Sequence, residues 1–228
     1  MSAEPAQLGA ILRAGFGVPA PLAERLAAYG ALLLDANRNV NLTAARSPEA
    51  LAPHLADALT LAGDVAGELI DIGSGGGLPG IPLALATGVP VVLVDAVAKK
   101  AAFLRRALGE LGLAGEAIAE RAERLGHDPA FRERFRVATA RAVSSAPAVA
   151  ELTVPFLAVG GKVLMQRGAL EASERQAVED AGPILGCRLV EERLLVGERR
   201  VLVLEKFAET PPRFPRRDGI PAKRPLCL

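Results

Sequence analysis

The amino-acid sequence predicts an α/β protein in which a mostly parallel, doubly wound sheet has helices on both faces. Seven short apolar runs, each suited to a buried strand, alternate mainly with helical segments from residue 68 onward. A glycine-rich turn follows the first run, and an aspartate ends the second. Half of the 228 residues are apolar and the net charge is +1, so a sizeable core can form and unspecific binding to nucleic acid is not expected.

The first 66 residues are predicted to form a small helical extension. Pro21 suits the first turn of a helix, and leucines recur after it at helical spacing. A second helix is expected over residues 47–62, with Ser47 as its N-cap. Residues 37–43 contain three asparagines and are too polar for a helix interior, so this segment is predicted to separate the two helices.

The predicted strands follow from the apolar runs, which lie at residues 69–72, 91–95, 117–119, 137–139, 162–165, 189–190 and 200–206. Helices are expected at 81–87 and 99–111. No convincing helix separates the last two runs, so they are predicted to form an antiparallel hairpin. These elements define a core at residues 67–207. The tail at 208–228 carries five basic residues and is either an irregular, solvated terminus or an arm that contacts phosphate.

A cytoplasmic protein without a metal site is expected. Cys187 and Cys227 are far apart, and only two histidines could complete a metal site with them. The first thirty residues lack the pattern of a signal peptide. The longest apolar stretch, residues 80–94, is interrupted by Pro82, Gly88 and Pro90 and is therefore not expected to span a membrane.

The turn after the first predicted strand has the composition of a nucleotide-binding loop. Residues 73–80 read Gly-Ser-Gly-Gly-Gly-Leu-Pro-Gly, and a predicted helix follows. Glycine allows a sharp turn and a close approach of ligand to the backbone, and the helix start offers N–H groups to an anion. Asp95 ends the next strand, where a carboxylate can bind ribose hydroxyls. The alternative role for Asp95 is to cap the helix that begins near residue 99.

Two classes of cofactor fit this loop. The spacing Gly75-x-Gly77-x-x-Gly80 matches the dinucleotide fingerprint, which leaves an NAD(P)-dependent oxidoreductase open. The carboxylate of Asp71, however, would repel a pyrophosphate and would suit a cofactor with a cationic end. Pro79 at the helix start also departs from the dinucleotide pattern. S-adenosylmethionine, which carries an ammonium and a sulfonium, is therefore the favoured cofactor.

The loop closely resembles the signature of the bacterial 16S rRNA guanine-N7 methyltransferase family, also called glucose-inhibited division protein B. Further matching stretches are Asn41-Leu-Thr43, His54-x-x-Asp57, Asp95-x-x-x-Lys99-x-x-x-Phe103-Leu104, Arg121-Ala-Glu123, Ala140-Arg141-Ala142 and the Pro-Arg-Arg tail. The resemblance implies a class I, Rossmann-like methyltransferase fold with a seven-stranded sheet. It also implies methyl transfer from S-adenosylmethionine to N7 of a specific guanosine in 16S rRNA.

Eleven residues are expected to contact the cofactor. The loop and the carboxylates beside it supply Asp71, Gly73, Ser74, Gly75, Gly77 and Asp95. Ala96, next to Asp95, is expected to contact the cofactor as well. The resemblance adds Leu78, Ala122, Glu123 and Arg141, with Ala122 and Glu123 bordering the adenine mainly through their main chain. No catalytic residue is assigned, and the candidates near the substrate are Asn41, His54, Arg141 and Arg167. The family commonly has Lys at the position of Arg167 and Arg at that of Pro53, and the two cations are not equivalent in geometry.

Guanine N7 suits this sequence because its lone pair is free and no proton leaves before attack, so no general base is required. Enzymes that methylate an exocyclic amine usually carry an Asn/Asp-Pro-Pro-aromatic motif after the fourth strand. At that place this sequence reads Ala-Arg-Ala-Val, at residues 140–143, so the motif is missing. The expected partner is structured 16S rRNA, in the small ribosomal subunit or an assembly intermediate, bound by a monomer through its tail and cleft rim. A methyltransferase for a small molecule or protein and a catalytically silent RNA-binding scaffold remain alternatives.

Overall fold

The computed structural model describes residues 3–141, 143–195 and 197–228. It confirms the predicted fold class, because a seven-stranded, mostly parallel sheet alternates with helices along the chain. The strands are β1 (Leu69–Ile72), β2 (Val91–Val94), β3 (Gly115–Ile118), β4 (Phe135–Arg141), β5 (Leu157–Arg167), β6 (Cys187–Leu194) and β7 (Arg200–Lys206). Their order in the sheet is β3-β2-β1-β4-β5-β7-β6.

The α-helices of the described residues include four-residue turns as well as long helices. They are α1 (Ala3–Phe16), α2 (Ala20–Ala36), α3 (Pro48–Leu59), α4 (Gly80–Thr87), α5 (Ala98–Glu110), α6 (Ala122–Leu125), α7 (Ala146–Thr153), α8 (Ala172–Leu185) and α9 (Ile220–Lys223). Short 3₁₀ turns lie at Ala62–Asp64 and Val154–Phe156. Across the described ranges, no helix combines the length and the apolar composition needed to cross a bilayer.

The chain divides into two compact units, each built from two segments. The first unit comprises Met1–Val65 with Ser74–Ala119, and the second comprises Ala66–Gly73 with Glu120–Leu228. The proposed division of the chain at residues 66 and 207 differs from these segments and stays a prediction.

Within the first unit, α1 packs against α2 and α3, and β2 pairs with β3 in parallel. The predicted start of α3 is confirmed, because Ser47 precedes the helix and its hydroxyl accepts the N–H of Ala50 at 3.3 Å. Buried leucines fill the interior of this unit, among them Leu8, Leu12, Leu26, Leu33, Leu51 and Leu55. Their burial supplies the hydrophobic stabilisation that holds the helices in place.

Within the second unit, β4 pairs in parallel with β1 and β5, and β7 pairs antiparallel with both β5 and β6. The predicted hairpin of the last two strands is therefore confirmed. Strand β6 is longer than its apolar run, since Glu191, Glu192 and Arg193 belong to it. It lies at the edge of the sheet, where charged side chains are tolerated and discourage pairing with other chains. An apolar pattern alone could not define such a strand.

Candidate functional site

The glycine loop, residues 73–79, follows β1, and its Ser74 is bonded to the last residue of β2. The N–H of Ser74 donates to the carbonyl of Val94 at 3.0 Å, and the Ser74 hydroxyl accepts the N–H of Val94 at 3.1 Å. Ser74 is 2% exposed. These two bonds hold the loop at the carboxyl end of β2, which is the edge where α/β sheets bind ligands.

Two features of the structure favour glycine at position 77. Its φ is +95°, a value that side-chain-bearing residues rarely adopt. A Cβ atom at this position would lie 2.5 Å from Cδ1 of Ile81, the second residue of α4. The loop therefore packs closely against α4 at this position.

Asp95 links the loop to the start of α5. One carboxylate oxygen accepts the N–H of Gly75 at 2.9 Å, and the other accepts the N–H of Val97 at 2.8 Å. The N-cap of α5 is Val97, and no side chain caps it, so the alternative role of Asp95 as the cap of that helix is wrong. A carboxylate has about four acceptor positions. Each oxygen of Asp95 thus retains capacity for a further donor such as a ribose hydroxyl.

Helix α2 is bonded to the glycine loop, and the sequence alone did not predict this contact. The hydroxyl of Tyr29 donates to the carbonyl of Gly76 at 2.6 Å, and Tyr29 is fully buried. A Cβ on Gly76 would lie 2.8 Å from Leu33 and 3.1 Å from the carbonyl of Leu42. The sequence contains one indication of such a contact. Tyr29 is the chain's single tyrosine, and a tyrosine hydroxyl that becomes buried requires a hydrogen-bond partner.

The segment between α2 and α3 is organised by Asn37. Its side-chain oxygen accepts the N–H groups of Leu42 and Thr43, at 2.8 and 3.1 Å. Its amide nitrogen donates to the carbonyls of Thr43 and Ala45, at 2.9 and 3.0 Å. Asn37 is buried, whereas the substrate candidate Asn41 is exposed on the same segment. The segment that contacts the glycine loop through Leu42 therefore presents Asn41 to solvent.

The other candidates of the first unit lie on neighbouring elements. His54 is half-buried on α3, and Ala96 is exposed immediately after Asp95. Leu78 is buried inside the glycine loop. The contacts of His54 and Ala96 with a ligand stay predictions.

In the second unit, Asp71 lies fully buried in β1, in register with Thr139 of β4. The Thr139 hydroxyl donates to the Asp71 carboxylate at 2.7 Å. This hydrogen bond helps offset the cost of burying the carboxylate. Gly73 ends the segment with φ at +71°, and a Cβ there would lie 2.6 Å from Val143.

Ala122 and Glu123 begin α6, and both are nearly buried. The Glu123 carboxylate accepts the N–H of Gly219 at 2.8 Å and lies 3.6 Å from the guanidinium of Arg121. Its side chain thus holds the C-terminal tail. A main-chain contact with adenine, as expected for this position, is compatible with that use of the carboxylate.

Arg141 ends β4 and is half-buried. Arg167 ends β5, and its guanidinium pairs with Glu174 of α8 at 2.7 Å. Glu174 also accepts the N–H of Ala146, the first residue of α7, at 2.5 Å. Arg167 therefore connects three elements of the second unit, and its role near the substrate stays a prediction. Ala142, part of the matching stretch at Arg141, lies outside the described residues.

The described residues contain no group of three or more His, Cys, Asp or Glu side chains that could hold a metal ion. Burial raises the pKa of the Cys187 thiol to about 12, so this cysteine stays protonated at neutral pH. It cannot act as a thiolate nucleophile in that state.

Comparison with known proteins gives consistent matches. Residues 22–202 match the family model GidB, described as rRNA small subunit methyltransferase G. The ribosomal RNA small subunit methyltransferase G of Rubrobacter xylanophilus is 43% identical over 211 residues, covering 86% of this chain and 81% of the relative. The protein of the same name from Pelotomaculum thermopropionicum is 42% identical over 210 residues, covering 87% and 88%.

Among solved structures, the mitomycin 7-O-methyltransferase MmcR aligns with a TM-score of 0.55 at 14% sequence identity. The alignment covers 88% of this chain and 66% of that one. At this identity the likeness indicates a shared fold alone.

Proposed function

Because the chain belongs to the GidB family of rRNA small subunit methyltransferases, we propose that it methylates N7 of a specific guanosine in 16S ribosomal RNA. The methyl donor is S-adenosylmethionine. The alternative of an NAD(P)-dependent oxidoreductase is set aside with this assignment. The observation that carries the proposal is the glycine loop, which Ser74 and Asp95 hold at the end of β2.

The chain's own residues fit an adenosyl group in the first unit. The backbone of Gly75 is only partly buried and can be approached by a ligand, and the remaining acceptor positions of Asp95 suit two vicinal hydroxyls. We propose that Leu78 and Ala96 line this part of the cofactor. Asp71, Gly73, Ala122, Glu123 and Arg141 of the second unit are likewise proposed as cofactor contacts.

When bound, S-adenosylmethionine supplies a methyl group that is already activated by the sulfonium. The protein then has to align the acceptor nitrogen with that methyl group, and orientation of this kind contributes about 7–11 kcal/mol. Guanine N7 has a free lone pair, so no side chain has to remove a proton. Exposed Asn41, on the segment that packs against the glycine loop, is proposed to meet the base, with His54 as a second candidate.

We further propose that the protein acts as a cytoplasmic monomer on the small ribosomal subunit or an assembly intermediate. The net charge of +1 supports this, because neutral proteins gain little from unspecific attraction to naked RNA. Structured RNA would supply the additional, shape-dependent contacts.

Methyl transfer to RNA tests the proposal. The protein is incubated with labelled S-adenosylmethionine and either 16S rRNA, isolated small subunits or short unstructured RNA, and the nucleosides are then separated. N7-methylguanosine at one position, with poor transfer to short RNA, is the expected result. Label in another nucleoside, in protein or in none of the RNAs would contradict the proposed reaction.

A further inference from the structure

A small polar cavity lies on the segment that joins α2 to α3. Its volume is about 270 Å³, and Leu34, Asn37, Arg38 and Arg46 line it. Arg38 and Arg46 are both exposed. The guanidinium of Arg46 donates to the carbonyl of Asn37 at 3.3 Å, which places its charged group at the cavity wall. Two cations therefore converge on a space large enough for a phosphate group.

Neither guanidinium has a carboxylate partner among the described residues, whereas many other arginines of the chain do. Asp35 lies three positions before Arg38 and accepts the backbone N–H of Arg38 through its carbonyl at 3.2 Å, but the two side chains form no ion pair. Glu49, the nearest following acid, accepts a hydrogen bond from Gln7 instead. The cavity thus retains positive charge that the protein itself does not neutralise.

A chain of contacts within the first unit links Asn37 in the cavity wall to the candidate methyl-donor loop. Asn37 bonds the backbone of Leu42, and the carbonyl of Leu42 packs on Gly76. Asn41 lies between the two arginines in sequence and is exposed. A ligand held by the arginines would therefore lie on the segment that contacts the glycine loop.

We propose that Arg38 and Arg46 bind a backbone phosphate of the RNA substrate and thereby position the target nucleotide beside Asn41. Arginine suits this role because its planar guanidinium donates two parallel hydrogen bonds to phosphate oxygens. The inference rests on the proposed function, since it assigns part of the substrate-binding surface of that same site.

Binding of 16S rRNA over a salt series tests the subsite. The variants are Arg38→Gln and Arg46→Gln, which keep most of the side-chain stem. The control is Arg13→Gln, an exposed arginine of α1 in the same unit. We expect each cavity variant to weaken RNA binding about fivefold and to lower the slope of log affinity against log salt by about one. Affinity for S-adenosylmethionine should stay unchanged in all three variants.

Unchanged affinity and slope in both cavity variants would overturn the inference. An equal loss in Arg13→Gln would overturn it too, because the effect would then reflect net charge. Loss of S-adenosylmethionine affinity would show that the arginines act through folding instead. If the unaltered protein binds 16S rRNA but transfers no methyl group, the proposed reaction fails, and the salt slopes still decide the subsite.

Discussion

Carboxylates and arginines have different roles in two regions of the molecule. These regions are the glycine loop with its surroundings in the first unit and the C-terminal tail of the second. Near the loop, Asp95 accepts two backbone N–H groups and retains further acceptor positions, while Arg38 and Arg46 have no carboxylate partner among the described residues. At the tail, both carboxylate oxygens of Glu151, a residue of α7, accept hydrogen bonds from the guanidinium of Arg216, at 2.7 to 3.1 Å. In the first region, charged groups can still bind a ligand. In the second region, the charged groups of Glu151 and Arg216 bind each other.

The tail is anchored through several such contacts. Arg132 donates to the carbonyls of Thr210 and Phe214, at 2.6 and 2.9 Å, and His127 contacts the carbonyl of Pro215 at 2.7 Å. Of the five basic tail residues, Arg216 is therefore structural, whereas the rest are exposed. A count of basic residues does not identify an RNA-binding surface, because the pairing of each cation decides whether it can bind phosphate.

Replacing Glu151 tests the structural side of this comparison and has the largest expected effect. Glu151→Gln leaves the Arg216 guanidinium without its counter-charge next to a fully buried position. The free energy of unfolding should fall by about 3 kcal/mol. Urea unfolding followed by circular dichroism measures it. The control is Glu110→Gln, whose exposed pair with Arg106 should contribute less than about 0.5 kcal/mol. Equal losses of stability in Glu151→Gln and Glu110→Gln would contradict the conclusion that the Arg216 pair is structural.

Tyr29→Phe tests the support beneath the glycine loop. It removes the buried hydroxyl and leaves the carbonyl of Gly76 without that donor. We expect a loss of about 1 kcal/mol in stability, together with weaker binding of S-adenosylmethionine. Thermal unfolding with and without S-adenosylmethionine reports both quantities. Thr60→Ala removes an exposed hydroxyl-to-carbonyl bond on α3 and should change neither. Unaltered stability of Tyr29→Phe would show that the bond does not support the loop.

At Glu133 the comparison extends to pH, because its carboxylate pairs with the fully buried Lys206. Partial burial raises the pKa of Glu133, but hydrogen bonds from Lys206 and Thr210 outweigh it and lower that pKa below its usual 4.5. Ionised Glu133 thus stabilises the fold above pH 4.5, and the contribution is lost as the pH falls through the lowered value.

The variant Glu133→Gln also leaves the ammonium group of the fully buried Lys206 without its counter-charge. It should therefore be less stable than the unaltered protein by about 2 kcal/mol at pH 7, and this gap should close towards pH 3. Urea unfolding across this range measures the gap, with exposed Glu116→Gln as the control. A gap that widens on acidification would have the wrong sign for this mechanism.

Much of the fold could be predicted because apolar runs and glycines report directly on strands and turns. Strand β1 has the predicted bounds, and β7 does too. Strand β5 begins at Leu157, before the predicted start, because Gly160 and Gly161 mask its pattern. The charged residues of β6 hide that strand in the same way. The periodicity of apolar residues cannot indicate an edge strand whose stability comes from backbone pairing.

The positions of the glycine loop after β1 and of Asp95 after β2 could be predicted, because each follows directly from an apolar run that forms a strand. Their contacts with a cofactor stay predictions. The site was not predictable where one residue acts on a distant one. A buried tyrosine hydroxyl needs a partner, but the sequence does not indicate that Gly76 is the partner of Tyr29, or that the Glu123 carboxylate binds the backbone of Gly219. Such pairs form only when the chain is folded. The same holds for Asn37, whose hydrogen bonds organise the segment on which Asn41 is exposed.

The most direct test of the account is the affinity of Asp95→Ala for S-adenosylmethionine, measured by titration calorimetry. The matched control is Asp128→Ala, because Asp128 also accepts a backbone N–H two residues ahead, that of Ala130 at 2.9 Å. We predict that Asp95→Ala weakens binding by about tenfold or more, as loss of charge-assisted bonds to ribose requires, while Asp128→Ala binds normally. Unchanged affinity in Asp95→Ala would contradict the assignment of the loop and Asp95 to the methyl donor.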